Sequence, residues 1–253
     1  MEKISGVVIT FNEERNIERC IKSLLPAVDE IIVVDSFSTD NTENICSQFE
    51  MIRFYKRKFD NYSSQKNSAI EKLSYSKVLS LDADEVISEE LLQSILFAKN
   101  NWKYDGYYCH RLNNYCGKWI KYGEWYPDSK LRLWDIRKGA WDDKNVHEKV
   151  KLVSGARIGT LKGDLHHYSY TSISEHITQL NKYTELAVAQ AFRKKKTVSV
   201  LEIVIRPIWR FFSGFIIKRG ICDGYYGFVI STISSFTTFL KYCKLHELNK
   251  SQK

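Results

Sequence analysis

The sequence contains neither GxGxxG nor GxxxxGK[ST], so the usual dinucleotide fold and the P-loop do not fit it. Its six cysteines (Cys20, Cys46, Cys109, Cys116, Cys222 and Cys243) form no CxxC pair and no zinc spacing. Buried or idle thiols in a reducing compartment explain them better than a disulfide framework. No Lys/Arg-led apolar segment with a small-residue cleavage site opens the chain. The apolar run 4–11 is only strand-length, which disfavours secretion. Low-complexity tracts and internal repeats are absent. A hydrophobic fraction of 43% and a charged fraction of 27% are ordinary globular usage, which disfavours wholesale disorder. The 253 residues suit one large domain, or one domain with a sizeable extension.

Charge is unevenly spread. Residues 192–253 carry 12 Lys/Arg against 3 Asp/Glu, so this tail holds the whole excess behind the net charge of +8. Such a tail attracts phosphate, whether of nucleic acid or of anionic lipid.

Strand and helix signals alternate over the first hundred residues. The run 4–11 is β-branched, and Asn12 then reads as an N-cap, with Glu13 and Glu14 in the first turn. Ile17, Cys20, Ile21, Leu24 and Leu25 follow at helical spacing. Ile31-Ile32-Val33-Val34 suits a parallel strand buried on both faces. Asp40 and Glu43 read as a capping box for a helix carrying Ile45 and Phe49. Strands near 52–55 and 77–81 and a helix near 63–73 complete a pattern that predicts an open, mostly parallel sheet. From 105 to 153 aromatic and β-branched residues mix with turn signals, predicting short, partly antiparallel strands and long loops. Ser172 and Glu175 read as a capping box opening a helix that ends near 193–196.

Ligands of open α/β sheets bind beyond the carboxyl ends of the strands. Three polar clusters fall at such ends: 10–13, 35–40 and 82–84. The sharpest is LDADE, residues 81–85, where two carboxylates one residue apart follow an apolar strand. A magnesium-like cation takes one or two carboxylates together with substrate phosphates, and Asp84 is the candidate direct ligand. Asp82 would contact the ribose or the metal's water shell. The alternative is a plain turn and helix start, with Ser88 capping the next helix.

Taken together, VVITFNEERNIERCIKSL, IIVVDSFSTDNT and LSLDADE resemble family 2 glycosyltransferases of the GT-A fold over roughly the first 150 residues. Residues 128–150, DSKLRLWDIRKGAWDDKNVHEKV, resemble the subgroup containing lipopolysaccharide-core β-1,4-glucosyltransferases. The resemblance implies an α/β GT-A domain over 1–170, Rossmann-like with a smaller mixed or antiparallel part. Its nucleotide half would be 1–100 and its acceptor half 101–170, followed by a helical, basic extension over 171–253.

By the same resemblance Asp35 recognises the nucleotide base, since a carboxylate accepts the uracil ring N–H. A strand-ending turn is the other reading of Asp35. Thr10, Phe11 and Glu13 would wrap the uridine, and Ala83, between the two carboxylates of the acidic motif, would join Asp82 and Asp84 in binding the nucleotide sugar. Gln65, Lys66 and Asn67 would face the donor, or else form a solvated helix face. Glu148 would be the general base that takes the acceptor hydroxyl's proton. Its alternative is a loop ion pair with Lys149 or Lys151. His147 would contact the diphosphate or join Asp84 on the metal. Lys130 and Arg132 would steady the departing diphosphate, with ordinary surface cations as the other reading. His166-His167 is either structural or a donor-phosphate contact. Trp119, Trp125, Trp134 and Trp141 offer an acceptor platform, although core packing explains most of them more simply.

In the tail, large apolar residues from Tyr225 to Phe239 repeat at helical spacing, and the uncharged stretch 224–240 is at the short limit for crossing a bilayer. The stretch 203–217 sets Arg206 and Arg210 beside Trp209, as in a helix lying on a membrane surface. A helical hairpin packed on the catalytic domain, or a dimer contact, is the alternative.

The resulting expectation is an inverting hexosyltransferase that uses Mg²⁺ or Mn²⁺. It would move a sugar from a UDP-sugar such as UDP-glucose to a lipopolysaccharide-core or other envelope glycan or lipid-linked acceptor. It would sit in the cytoplasm, peripheral on the inner face of the membrane, without nucleic acid. The sequence leaves the oligomeric state open. Rival readings are a nucleotidyltransferase with a metal-binding DxD, disfavoured by the absence of a Gly-rich triphosphate loop, and a non-catalytic membrane scaffold.

Overall fold

The computed structural model describes residues 1–142, 148–194 and 197–251. The chain divides into two compact units. The first holds Met1–Arg111 and Asp128–His167, and the second holds Leu112–Pro127 and Tyr168–Lys253.

In the first unit β1 (Ile4–Thr10), β2 (Glu30–Asp35), β3 (Ile52–Lys56) and β4 (Lys77–Asp82) form a parallel block in the order β3-β2-β1-β4. The sheet continues antiparallel. β5 is Glu85–Ile87, β6 Gly106–Tyr115 and β8 Asp128–Asp135, and β11 (Ile158–Tyr170) completes the order β4-β8-β6-β11-β5. β9 (Gly139–Trp141) and β10 (Val150–Leu152) make a separate two-stranded ladder. The expected mixture of parallel and short antiparallel strands is the observed one.

Alternation along β2 explains its unbroken apolar run. Ile31 and Val33 join one core, with helix α1 (Ile17–Leu24), while Ile32 and Val34 join another with Val7, Val78, Trp134 and Trp141. Helices α2 (Thr42–Cys46), α3 (Tyr62–Ile70) and α4 (Glu89–Asn100) complete this unit. Ser88 caps α4 by accepting the Leu91 N–H at 3.3 Å. Trp134 and Trp141 are core residues, as the simpler reading had it.

Two local expectations are corrected. Asn12 does not cap a helix: it sits at φ 54°, and α1 begins only after Asn16. Its carboxamide accepts the Thr39 N–H at 2.8 Å and its own N–H donates to Ser38 Oγ at 2.8 Å, tying the loop after β1 to the loop after β2. Asp40 and Glu43 form no capping box either. Asp40 accepts the Thr42 N–H at 3.0 Å, Glu43 pairs with Lys56 at 2.6 Å, and α2 ends before Phe49. Asp40 also accepts the Glu14 N–H at 3.0 Å, and this bond, like the Glu43–Lys56 pair, is a longer-range contact that a local pattern does not register.

The second unit is mostly helical. β7 (Lys118–Ile120) lies antiparallel on the end of β6. Helix α5 (Ile173–Arg193) opens on Ser172, whose hydroxyl accepts the Glu175 N–H at 3.1 Å. Next come α6 (Val200–Phe212), a π-helical turn (Ser213–Ile217), a 3₁₀ turn (Gly220–Asp223) and α7 (Tyr225–Lys250). Buried Asp223 accepts the backbone N–H groups of Lys121 (3.2 Å) and Tyr122 (2.9 Å), pinning the loop after β7. All six cysteines are free.

Candidate active site

Register brings three strand ends together. Thr10 pairs with Asp35 across β1 and β2, and Ile9 pairs with Asp82 across β1 and β4. Chain order reverses between β1 and β4, the kind of switch point where open α/β sheets hold ligands. Asp35 is fully buried, and one carboxylate oxygen accepts the Ser38 N–H at 2.8 Å while the other accepts its hydroxyl. Thr10 is buried too, and its hydroxyl has no partner among the described residues. Phe11 is exposed at the mouth of this edge.

A chain of alternating charges runs beside these ends. Lys66 Nζ lies 3.1 Å from Glu148 Oε1, 2.8 Å from Asp82 Oδ1 and 4.4 Å above the Trp141 ring. Arg132 Nη2 reaches Asp82 Oδ2 at 2.6 Å and Glu85 Oε1 at 2.5 Å. Arg111 joins Glu85 (3.4 Å) to Asp128 (2.8 Å), and Lys130 ends the series on Asp128 at 3.0 Å. Burial alone would raise the Asp82 pKa, but Arg132 and Lys66 hold it well below the usual carboxylate range. The same carboxylates push the Arg132 pKa up against its burial, so its charge is fixed.

The solvated-face reading therefore fails for Gln65 and Lys66, which are buried. Gln65 bonds Ser36 Oγ (3.0 Å) and Arg57 (2.8 Å), bracing the loop after β2. Asn67 spends its amide on both backbone groups of Trp141. Arg132 is likewise no surface cation, whereas Lys130 is partly exposed. Glu148 pairs with Lys66, not with its neighbours Lys149 or Lys151. Ala83 is buried between the two aspartates of the motif. His147 lies outside the described residues.

Asp84 stands apart from this lattice. Its Oδ2 lies 3.1 Å from His167 Nε2, because β11 pairs with β5 in the register His167↔Glu85. Glu13 is close enough for the Asp84 charge to raise its pKa, after the larger effect of its own burial. Among the described residues no group of three or more His, Cys, Asp or Glu gathers as a self-sufficient metal cage. A carboxylate and an imidazole fit a cation that takes its remaining ligands from a diphosphate, as magnesium-type ions do.

Glu85 and Arg111 were not legible as site residues in the sequence. A fully buried carboxylate and a cross-strand charge pair become visible only once Arg111 is known to register with Asp128.

A family model described as Glycosyl transferase family 2 matches residues 5–162, well over half of the chain. The chain belongs to glycosyl transferase family 2. An uncharacterized glycosyltransferase of Rickettsia typhi is 33% identical over 98% of this chain and 88% of that protein. The lipopolysaccharide core biosynthesis glycosyltransferase LpsC of Rhizobium meliloti is 28% identical over 96% of this chain and 92% of its own. In fold, this family 2 member resembles S. aureus TarS 1–349 in complex with UDP-GlcNAc (TM-score 0.51, 14% identity, 99% of this chain and 92% of that one). The α/β GT-A architecture with C-terminal helices is the observed one. The strand-end residues Thr10, Asp35, Asp82 and Asp84 all fall inside the matched span of this glycosyltransferase, whereas His167 lies just beyond it.

Proposed function

We propose that the protein transfers a hexose from a UDP-sugar, with inversion, to a hydroxyl of a lipopolysaccharide-core or similar envelope acceptor at the inner face of the membrane. The observation that carries this reading is Lys66. One buried ammonium bridges the acidic motif at Asp82 and the downstream Glu148, joining the donor's anchor to a candidate base. The name of LpsC supports the acceptor class, and the UDP-GlcNAc in the TarS complex supports the donor class.

Asp35 and the unpartnered Thr10 hydroxyl take the uracil and ribose, with Phe11 closing over them. Asp84 and His167 would hold Mg²⁺ or Mn²⁺ against the diphosphate. When bound, that ion supplies Lewis-acid neutralisation of the charge that grows on the leaving UDP. Glu148 accepts the acceptor hydroxyl's proton as the oxygen attacks the anomeric carbon from the side opposite UDP. Arg132 keeps Asp82 ionised and oriented, so the motif's backbone is fixed before the donor arrives.

Glu148→Gln is expected to slow transfer by about 10²–10⁴-fold while leaving donor affinity nearly unchanged. Rates near wild type would assign the proton to another group. Asp84→Ala is expected to abolish metal-dependent transfer with the fold intact. Normal turnover by that variant, insensitive to chelators, would remove the metal from the reading. Release of free UDP, not pyrophosphate, separates glycosyl transfer from nucleotidyl transfer.

A further inference from the structure

Helix α6 presents its apolar side to water. Only Pro207 among its residues is buried. Leu201, Val204, Ile205, Ile208, Trp209 and Phe212 recur at helical spacing along one face, and each is 47–67% exposed. The charged residues form a separate stripe: Arg206 pairs with Glu202 at 2.7 Å, and Arg210 pairs with Glu124 at 2.7 Å. The exposed apolar surface does not stop at the helix end. Ile216 and Ile217 extend it, and Phe228 of α7 joins edge-on to Phe211 and Phe215. Patches of this kind on a folded protein mark a covered surface.

Charge tells what covers it. Residues 193–222 hold eight Lys/Arg and a single acid, Glu202. Cations stand at both ends of the apolar face, with Arg193 and Lys194 before α6 and Lys218 and Arg219 after it. Arg219, held at φ 61° in the turn that leaves the π-helical segment, has no side-chain partner among the described residues. A second copy of the chain would meet this surface with the same sign of charge. A sheet of anionic headgroups over hydrocarbon matches both features, and Trp209 beside Arg206 and Arg210 suits the boundary between them. At 13 residues α6 is about 20 Å long, too short for a hydrocarbon core of about 30 Å. No helix among the described residues is long and apolar enough to cross a membrane.

We propose that the exposed face of α6 docks on a bilayer containing anionic lipid, the helix lying in the headgroup plane with Ile208 and Trp209 as its central anchors. This builds on the membrane placement given under the proposed function and is independent of the transfer chemistry.

The test uses the full chain with vesicles of phosphatidylcholine alone, or with about a third phosphatidylglycerol. The protein is expected to co-sediment with the anionic vesicles only, and to be released by salt of about 0.5 M. Ile208→Asn combined with Trp209→Ser is expected to lower partitioning at least about tenfold. Both side chains are exposed, so thermal unfolding and UDP binding are expected to stay at wild-type levels. Arg219→Glu provides a second variant that weakens binding to anionic vesicles without touching the apolar face. Undiminished partitioning by the double variant overturns the proposal. So does a wild-type protein that ignores both vesicles and sediments as a dimer that the double variant disperses. UDP binding by a protein that ignores vesicles sinks the docking face alone. Vesicle binding without UDP binding leaves the face standing and removes the transfer reading.

Discussion

Two buried cations, Lys66 and Arg132, organise the site. Each holds two carboxylates, and each would become a liability if a partner were removed. A buried ion pair is weak support for net stability, yet breaking one from a single side leaves an uncompensated charge. Arg132→Ala is therefore expected to lower unfolding free energy by about 3–5 kcal/mol in urea titrations and to weaken UDP binding. Among the described residues, fully buried Glu85 then keeps only Arg111, at 3.4 Å, as a cationic partner, and Asp82 only Lys66. The pH dependence has a definite sign. Asp82 and Asp135 are held below the usual carboxylate range, Asp82 by Arg132 and Lys66, Asp135 by Arg137 and Lys77. Their stabilisation is present above the unfolded carboxylate range and is lost as pH falls through the depressed values. His176 behaves in the same direction for a different reason. Burial lowers its pKa from 6.5 to about 4, so the unfolded chain takes up a proton first and stability falls as pH drops through that window. Urea titrations stepped from pH 7 to 4 are expected to show this slope, and His176→Phe to flatten it.

Helix and strand boundaries follow from caps and close approaches. Ser88 and Ser172 each satisfy a backbone donor of the first turn, and both positions were readable because the N-cap preference is local. Ser88→Ala is expected to cost about 1 kcal/mol in chemical denaturation. Asn12 and Asp40 have the same chemistry, but Asn12 bonds residues of another loop, and Asp40 divides its carboxylate between nearby Thr42 and Glu14 of another loop, a bond which no local pattern contains. Helix α7 shows the same division. The spacing of Tyr225, Phe228, Val229, Ile233, Phe236 and Phe239 predicted a helix, yet of these only Ile233 is buried, together with Gly227, Ile230 and Ser231, while Tyr225, Phe228, Phe236 and Phe239 are exposed. Close packing against small residues sets that choice. A Cβ on Gly227 would lie 1.8 Å from the Gly220 carbonyl oxygen. Gly227→Ala is thus expected to destabilise the second unit by at least about 1–3 kcal/mol, read from thermal unfolding.

For the whole molecule, ligand binding and stability are linked. UDP with Mn²⁺ at about a hundred times Kd is expected to add about 2.7 kcal/mol to unfolding free energy, and a chelator or Asp84→Ala to remove the metal-dependent share. Thermal shift measures both. The charge distribution has a counterpart at this scale: the tail carries the entire basic excess, and the exposed apolar face of α6 lies within it. The second unit takes its small β-element, Leu112–Pro127, from the middle of the chain. Membership of such a unit is a matter of contacts between distant segments, and linear position does not encode it.

Local chemistry sufficed for the alternation of strands and helices, the acidic motif past an apolar strand, and the charge imbalance, since each depends on neighbours in the chain. Register decided the rest. Pairing β11 with β5 carries His167 to Asp84, and packing α3 under β9 carries Lys66 to both Asp82 and Glu148. Those partners lie 83, 16 and 82 positions apart, and a side chain's charge partner is fixed by distance in space, which only the folded sheet supplies.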